Sequence, residues 1–471
     1  MTTISVFIDS THCNATRIQR ALNKIQSMFR HLYQEPFLDE EKAVSFIQDQ
    51  ATILMDMKDL QPMFDQIGEA EIVLLGEASH GTHEYYSWRS YITQYLIKEK
   101  GFHFIAVEGD WPDCYRLNRY AKNYPYAGKS ALEVLQGFNR WPTWMWANWE
   151  MVAMAEWLNQ YNRALTTGKK IGFYGLDVYS LWESLEAIMK YLQHVDVAAL
   201  KTAEEAFRCF EPYQSDEGRS YAKATQFVPE LCKEEVVELL RKIQERLTQY
   251  NTDEENVFNL QQNAYVALNA ERYYRAMIKG GAHSWNIRDG HMVETLDRLL
   301  QFYGAGAKVV VWEHNTHIGD ARATDMVNQG MFNVGELVRL KYHEKGVVLV
   351  GFGSYKGEVI AGKAWGAPMK KITVPSAEKG SWEYLLHKAG PENKLLLMDN
   401  FMVEEFMETH LRHRAIGVVY NPEYEKYGNY VPSLLPLRYD AFIYLDRTHA
   451  LHPLHIEPDG HQVPETYPFG F

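Results

Sequence analysis

The sequence predicts an α/β fold, with a mostly parallel sheet core flanked by helices and an inserted all-helical subdomain. Three observations support this fold class: short apolar runs recur along the chain, helix-period segments separate them, and one long stretch holds no strand candidate. Continuous apolar runs without alternation are typical of strands that are covered on both faces, as in a parallel sheet. The eight predicted strands are residues 71–76, 102–107, 171–175, 308–312, 346–351, 394–398, 415–419 and 440–445.

Helical periodicity predicts helices at residues 84–100, 145–164 and 181–194. Two long amphipathic segments, 233–250 and 256–278, predict the inserted helical subdomain. A Gly- and Lys-bearing stretch at 354–381 predicts a long loop or hairpin, which is a common form of active-site cover. The predicted organisation is an N-terminal helical lead-in at 1–64, an α/β catalytic core at 65–177 and 301–455, a helical insertion at 178–300 and a C-terminal tail at 456–471.

The composition excludes several classes of protein. The chain has 471 residues, a formal net charge of −13 and 46% hydrophobic residues, so it can bury a large core and is not mainly disordered. The acidic balance argues against nucleic acid or an anionic membrane as the main partner. No apolar run approaches the roughly 18 residues of a membrane helix, and the N-terminal stretch has no basic region of the kind that opens a secretory signal.

The cysteines are few and scattered. Cys13, Cys114, Cys209 and Cys232 form no C-x-x-C pair, which excludes a cysteine-based zinc module or a redox pair. Such usage suits a reducing compartment, so we expect a cytoplasmic location. The sequence does not define the oligomeric state.

Acidic residues and histidines follow four of the predicted strands. Because parallel sheets gather ligands and catalytic groups at the carboxyl ends of their strands, four such ends favour an active site at one edge of the sheet. The alternative is that these acids cap the helices that follow. The four motifs are Glu77-Ala78-Ser79-His80-Gly81, Glu108-Gly109-Asp110, Asp177 and Glu313-His314-Asn315-Thr316-His317.

Two H-x-x-H units, His80 to His83 and His314 to His317, stand in these motifs. Imidazoles at this spacing can share one turn and bind a divalent metal, for which His80, Glu108 and His314 are the candidate ligands. The stronger H-E-x-x-H pattern is absent, and histidines held by carboxylates perform acid/base chemistry without metal. The leading hypothesis therefore requires no cofactor, and His83 can equally be a surface residue at the start of its helix.

Two residues beside the first motif are further candidates. Ser79 stands where a G-x-S-x-G nucleophile would stand, but the first Gly is Glu77, so a packing or turn role is favoured. If the next helix begins near Glu84, Arg89 lies in its second turn and could orient a carboxylate or stabilise an oxyanion. The alternative for Arg89 is a surface ion pair. A Trp-dense segment at 141–149 is either core or an apolar wall for a ligand, and core is favoured.

The motifs resemble those of the erythromycin esterase family. This resemblance extends from about residue 65 to residue 455 and implies a mostly parallel α/β core with a helical part, a deep cleft, and hydrolysis of the ester that closes a macrolide ring, as in antibiotic resistance. Many members are instead named for succinoglycan biosynthesis or have no known substrate. The matching segments are 76–84 with Arg89, 106–111, Arg288-Asp289 with Met292, 312–317, and 414–423 through 440–443. The functional residues that the resemblance implies are Glu77, His80, Arg89, Glu108, His314 and His317.

The resulting hypothesis is a cytoplasmic carboxylic-ester hydrolase that attacks its substrate directly with water. His80 is the predicted general base, and Glu77 would fix its ring or stabilise the imidazolium. His314 is the rival base. Two other classes stay open: a metal-dependent hydrolase of a phosphoester or amide, and a non-catalytic metal- or ligand-binding protein on the same scaffold.

Three groups would assist the base in this hypothesis. Arg89 and one of His314 or His317 would stabilise the oxyanion or protonate the leaving alcohol. Glu108 would position the cluster or balance its charge. The natural substrate is set by loops and inserted helices, so these motifs do not define it.

Overall fold

The structure is a computed structural model that describes residues 38–455, apart from residues 167, 217, 229, 251–252 and 278–279. Most of the predicted lead-in, up to residue 37, and the whole predicted tail at 456–471 lie outside the described residues. One nine-stranded sheet forms the centre of the described part, beside a two-stranded sheet. The strands are β1 (Thr52–Ile53), β2 (Ile72–Leu75), β3 (Phe104–Asp110), β4 (Gly172–Asp177), β5 (Val309–Trp312), β6 (Val347–Gly362), β7 (Met369–Val374), β8 (Lys394–Leu397), β9 (Leu411–Arg414), β10 (Tyr430–Ser433) and β11 (Ala441–Thr448).

Helices lie between most consecutive strands, as predicted, and the exception among the described residues is the β6–β7 hairpin. The helix predicted at 145–164 begins later, at Trp149, because the Asn148 side chain caps it by accepting the Met151 backbone N–H at 2.7 Å. The helices are α1 (Glu40–Gln50), α2 (Gln61–Ile67), α3 (His83–Lys100), α4 (Trp111–Ala121), α5 (Ala131–Leu135), α6 (Trp149–Ala164), α7 (Leu181–Val195), α8 (Val197–Phe210), α9 (Arg219–Ala224), α10 (Lys233–Arg246), α11 (Glu254–Met277), α12 (Ala282–Tyr303), α13 (Asn315–Ile318), α14 (Val334–Lys341), α15 (Trp382–Lys388), α16 (Glu404–Glu408), α17 (Glu425–Gly428) and α18 (Leu435–Arg438).

The large sheet is parallel through its middle and antiparallel at its margin. Strands β11, β6, β2, β5, β3 and β4 lie side by side in that order, and all run parallel. Strand β8 runs antiparallel to β11, β1 runs antiparallel to β8, and β7 folds back on β6. Leu75 and Val107 both pair with Trp312, so β2 and β5 end level with Val107 of β3, which continues to Asp110. This order confirms the predicted fold class.

Side chains of the central strands alternate between two apolar layers. On β2, Val73 and Leu75 pack with Ile92 of α3, whereas Ile72 and Leu74 pack with residues of α12 and α15 on the other face. Coverage of both faces explains why the strands read as continuous apolar runs in the sequence.

The described chain between β4 and β5 is helical, as predicted for the insertion. Buried residues of α7, α8, α10 and α11 form an apolar cluster of their own. Helix α12 differs, because Met292 and Leu296 pack against the sheet. The proposed division of the chain into domains stays a prediction. No helix within the described ranges has the length and apolar character to cross a membrane.

Two sequence-based expectations are wrong. Residues 415–419 are not a strand: Ile416 and Val419 make single bridges, to Ser79 and Gly362, and the segment is apolar because it lines a cavity and packs against β6 and β7. Cys209 and Cys232, 23 residues apart, form a disulfide because the end of α8 meets the start of α10, with their Cα atoms 5.7 Å apart. The cysteine spacing therefore no longer argues for a reducing cytoplasm, and the location stays a prediction.

Candidate active site

A cavity of about 510 Å³ opens at the sheet edge where the parallel strands end. Four of the predicted site residues line it, whereas Glu77 and Arg89 are not among its lining residues and connect to it through His80. The four lining residues are His80, Glu108, His314 and His317.

Aromatic side chains form much of the cavity wall. Within the Trp-dense segment Trp144 is fully buried in the core, while Trp141 and Trp146 line the cavity, so the segment serves both predicted purposes. The stretch predicted as a loop or hairpin is a hairpin, β6 to β7, and its turn brings Trp365 to 4.6 Å from Trp141, ring centre to ring centre. The hairpin thereby contributes to the mouth of the cavity.

Glu77 joins two basic side chains directly after β2. Its Oε1 accepts a hydrogen bond from His80 Nδ1 at 2.9 Å, and its Oε2 accepts one from the Arg89 guanidinium at 2.6 Å. Arg89 is fully buried in α3, and its guanidinium stacks 4.8 Å from the Trp312 ring. Because His80 donates from Nδ1, its Nε2 keeps the lone pair. The buried ion pair fixes both the orientation and the tautomer of His80.

The two imidazoles at the cavity have opposite electrostatic environments. Burial by itself would lower the pKa of His80, but the charges of Glu108 and Glu77 outweigh burial and raise that pKa above its usual value. Burial lowers the pKa of His314 well below its usual value, and positive charge on His80 lowers it further. The two rings lie 4.9 Å apart, centre to centre. His80 therefore takes up a proton much more readily than His314 does.

The His314 ring is held as a neutral donor. Its Nδ1 accepts the backbone N–H of Thr316 at 3.3 Å and lies 2.8 Å from the Thr316 hydroxyl. An accepting Nδ1 in a neutral ring leaves the proton on Nε2. The Nε2 atom is buried and has no hydrogen-bond partner among the residues that the structure describes.

Arg288 of α12 binds two carboxylates at the strand ends. Its Nη2 donates to Glu108 Oε1 and to Asp177 Oδ2, each at 2.6 Å, and its Nε donates to Asp177 Oδ1 at 2.9 Å. The second oxygen of Glu108 accepts the backbone N–H of His314 at 2.9 Å. Burial opposes the charge of Glu108, but His317, Arg288 and His80 hold its pKa well below the usual range. Glu108 is therefore ionised across the neutral pH range.

His317 is fixed on every side. Its Nδ1 lies 3.0 Å from both carboxylate oxygens of Asp289, and its Nε2 accepts from Arg288 Nη1 at 2.9 Å. The ring stacks on Trp285 with centres 4.6 Å apart. Such a ring holds Arg288 and Asp289 in position.

Glu313, one of the strand-end acids, does not line the cavity. It is fully buried, and neither carboxylate oxygen has a hydrogen-bond partner within the described part of the chain. Burial and the neighbouring charge of Glu108 raise its pKa well above the usual value, so it is a neutral acid.

The remaining residues of the first motif have other partners. The Ser79 hydroxyl hydrogen-bonds the Thr82 hydroxyl. His83 is not a free surface residue, because its Nδ1 lies 2.6 Å from Glu150 Oε1. Across the described ranges, a single group of three residues brings metal-ligating atoms within 4.8 Å of one another: His83, Glu150 and His452. The candidate ligand set His80, Glu108 and His314 forms no such group, and Arg288 supplies the positive charge beside Glu108.

Sequence reasoning assigned no role to four residues of the site: Asp177, Trp285, Arg288 and Asp289. Asp177 carried a signal, since it ends a strand, and Arg288-Asp289 stood among the segments that resembled a family. Their roles were not evident because α12 belongs to the stretch interpreted as an insertion, and Arg288 lies 180 residues from Glu108 in the chain. Only the packing of α12 on the sheet brings them together.

The chain is similar in sequence to proteins of a known family. The erythromycin esterase family model matches residues 97–448, a range that begins after the Glu77–His83 motif. "Erythromycin esterase type II" of Escherichia coli is 22% identical over 368 residues, covering 73% of this chain and 84% of that protein.

Solved structures share the fold at low sequence identity. A succinoglycan biosynthesis protein superposes with a TM-score of 0.72 at 22% identity, covering 88% of this chain and 98% of that one. A protein from Bacillus cereus superposes with a TM-score of 0.73 at 20% identity, covering 88% of this chain and 99% of that one. A mutant of the erythromycin esterase EreC in its open conformation superposes with a TM-score of 0.62 at 14% identity, covering 85% of this chain and 97% of that one. Because the family model matches most of this chain, the chain belongs to the erythromycin esterase family.

Proposed function

We propose that this chain is a carboxylic-ester hydrolase of the erythromycin esterase type, in which His80 activates the attacking water. The observation that carries this proposal is the buried series Arg89–Glu77–His80. It fixes the imidazole with Nδ1–H on the carboxylate and leaves Nε2 to accept a proton at the cavity. The raised pKa of His80 suits a base that takes a proton in the transition state.

His314 is assigned a different role from His80. Its lowered pKa keeps it neutral, and its Nε2–H has no protein partner in the described residues, so it suits donation to a developing oxyanion or to the leaving alcohol. Arg288 lines the same cavity and stays charged, because Asp177 and Glu108 raise its pKa despite burial. It supplies the positive charge for the tetrahedral intermediate.

The other predicted site residues act by positioning. Arg89 contacts the far oxygen of Glu77 and does not line the cavity, so we assign it to holding Glu77 and not to contacting the oxyanion. Glu108 holds Arg288 and the backbone of His314, and His317 braces Arg288.

The substrate class follows from the cavity wall and from the relatives. A cavity of about 510 Å³ with aromatic walls suits an ester with a bulky apolar part. Macrolactones are the first esters to test, because the Escherichia coli relative is named an erythromycin esterase, and acylated saccharides are the second, because a structural relative is named for succinoglycan biosynthesis.

Mass-spectrometric detection of hydrolysis over a panel of aryl esters, macrolactones and acylated sugars tests the proposal, with wild type compared with His80→Asn. The expected result is a product 18 Da heavier than a macrolactone, or the free acid of a linear ester, from wild type alone. Equal product from both proteins would exclude His80 as the base. No product from wild type on any ester would overturn the esterase assignment.

A further inference from the structure

A second group of imidazoles and a carboxylate lies outside the cavity. It joins three distant parts of the chain: His83 at the start of α3, Glu150 in the first turn of α6, and His452 after β11. Both histidines bring Nδ1 to 2.6 Å from the same oxygen, Oε1 of Glu150. The two rings lie 5.3 Å apart and nearly perpendicular, at 81°. Three potential ligand atoms thus converge on one point.

We propose that His83, Glu150 and His452 bind a divalent transition-metal ion of the zinc class. Two imidazole nitrogens and one carboxylate oxygen are the donor set that zinc accepts, whereas magnesium and calcium prefer oxygen alone. In a tetrahedral zinc site the ligand atoms lie about 2.0–2.2 Å from the ion and so about 3.4 Å from one another. Opening each 2.6 Å contact by under about 1 Å reaches that spacing, within ordinary side-chain adjustment.

The imidazole protons can take positions that allow an ion to bind. Without an ion, each Nδ1–H donates to Glu150 Oε1. With an ion bound, the lone pairs of both Nδ1 atoms face the metal, and each ring carries its proton on Nε2 instead. Ser87, one turn further along α3, has its hydroxyl 3.3 Å from His83 Nε2 and can accept that proton's hydrogen bond. A hydrogen-bonded second nitrogen is the usual support for a metal-bound imidazole.

Access and preorganisation also favour a metal site. The Glu150 side chain is 2% exposed, whereas those of His83 and His452 are 15% and 37% exposed, so an ion and a fourth, water ligand can reach the group from solvent. Backbone hydrogen bonds hold the C-terminal segment in place: His83 N–H donates to the His449 carbonyl at 3.0 Å, and Trp149 N–H donates to the His452 carbonyl at 2.9 Å. An ion would fasten this segment to the starts of α3 and α6.

Zinc binding by the full-length, tag-free protein tests the proposal. After removal of metals with EDTA, the protein is loaded with zinc, gel-filtered and analysed for metal content, and cobalt is added to a second sample to record the visible spectrum. Wild type is expected to retain about one zinc per chain and to give the strong cobalt bands of a four-coordinate site. Zinc is also expected to raise the melting temperature, since it binds only the folded state.

Two variants should lose the ability to bind zinc. Glu150→Gln and His452→Asn are each expected to abolish zinc retention and the zinc-dependent rise in melting temperature. The matched control is His449→Asn, because His449 stands three residues away in the same segment and pairs singly with Glu84 at 2.6 Å. It should retain zinc as wild type does. His80→Asn should retain it too, which separates this group from the cavity.

Several outcomes would overturn the proposal. Wild type retaining no zinc would do so, as would equal retention by wild type and His452→Asn, or loss of zinc in His80→Asn with retention in His452→Asn. Should Glu150→Gln fail to fold, His452→Cys keeps the test decisive: thiolate ligation preserves zinc and adds a near-ultraviolet cobalt–sulfur band. Absence of that band in a folded, cobalt-loaded protein counts against the site.

Discussion

The two imidazole–carboxylate groups at either end of His80-Gly81-Thr82-His83 use the same residue types in different ways. At His80, one imidazole and one fixed guanidinium share Glu77, and the guanidinium is fully buried. At His83, two imidazoles share Glu150, and both are partly exposed. A permanent cation beside Glu77 leaves that carboxylate to orient a single base. Two imidazoles beside Glu150 are themselves potential metal ligands, so that carboxylate could share a metal ion with them.

The surroundings extend this contrast. The raised pKa of His80 reflects the two negative charges of Glu108 and Glu77 near one cavity. Gly81 separates the two groups, and a Cβ there would lie 1.9 Å from the carbonyl oxygen of Ile360 in β6, so the chain between the groups is pressed against the sheet. Only two residues, Gly81 and Thr82, therefore separate two imidazole–carboxylate groups with different surroundings.

Removal of the proposed base should give the largest effect on turnover. His80→Asn is expected to lower kcat by about 10²- to 10⁴-fold, because a general base contributes that much to proton transfer. The measurement is kcat on the best ester of the panel, with circular dichroism to show that the variant is folded. His449→Asn is the control and should keep wild-type kcat. An unchanged kcat in His80→Asn would transfer the base role to His314.

Loss of the cavity cation should affect both activity and stability. Arg288→Met leaves Glu108 and Asp177 buried without their shared partner, so we expect kcat to fall about 10²- to 10³-fold and the free energy of unfolding to fall by about 3–5 kcal/mol.

Urea denaturation and steady-state kinetics measure these two quantities. The control is Arg241→Met, which removes an exposed ion pair on α10 and should leave both quantities close to wild type. If kcat and the free energy of unfolding fall no further in Arg288→Met than in the control, the role assigned to Arg288 is contradicted.

The pH dependence should identify the titrating base. A base works only when deprotonated, so kcat/KM should fall as the pH drops through the pKa of His80, which lies above the ordinary value of 6.5. Glu77→Gln removes a charge and a hydrogen bond that raise this pKa. It should therefore move the acid limb to lower pH and reduce kcat by about tenfold.

Asp110 also lines the cavity, and burial raises its pKa to about 6. A limb caused by Asp110 would stay in place in Glu77→Gln, so the direction of the shift distinguishes the two groups. Arg288 and His314 face His80 as well, but the first stays charged and the second stays neutral over this range.

The smallest effect should come from the mouth of the cavity. Trp365→Ala removes an aromatic face beside Trp141, and we expect KM for a bulky ester to rise about fivefold, in line with about 1 kcal/mol for an aromatic contact. KM for a small aryl acetate should not change. Phe227→Ala, an exposed aromatic elsewhere, is the control for both substrates. Equal effects on large and small esters would show that Trp365 does not select for size.

Much of the fold and part of the site could be predicted from the sequence. The strand that ends at Leu75 and the strand that ends at Trp312 were recognisable because residues covered on both faces must be apolar throughout. The motifs that follow them were recognisable because such ends collect polar groups. The segment 415–419 was mistaken for a strand because a cavity wall demands the same apolar residues as a sheet does.

The partners of each histidine could not be predicted in this way. Spacing alone treats His80 and His83 as one pair, yet the structure gives them different carboxylates, Glu77 three residues away and Glu150 67 residues away. The pairing of Cys209 with Cys232 was equally hidden. Each of these contacts depends on how helices pack, and local pattern carries no information about distances between elements that are remote in the chain.

The sequence by itself determined the α/β class, the strand ends that are followed by polar residues, and the presence of Glu77, His80, Glu108, His314 and His317 at those ends. These follow from hydrophobic burial and from local polarity, which are properties of short segments. Only the tertiary structure decided that Arg288 binds Glu108 and Asp177, that His314 is held neutral, and that His452 contacts Glu150. Charge, tautomer and ligation depend on the distances between groups, and those distances exist only once the chain has packed.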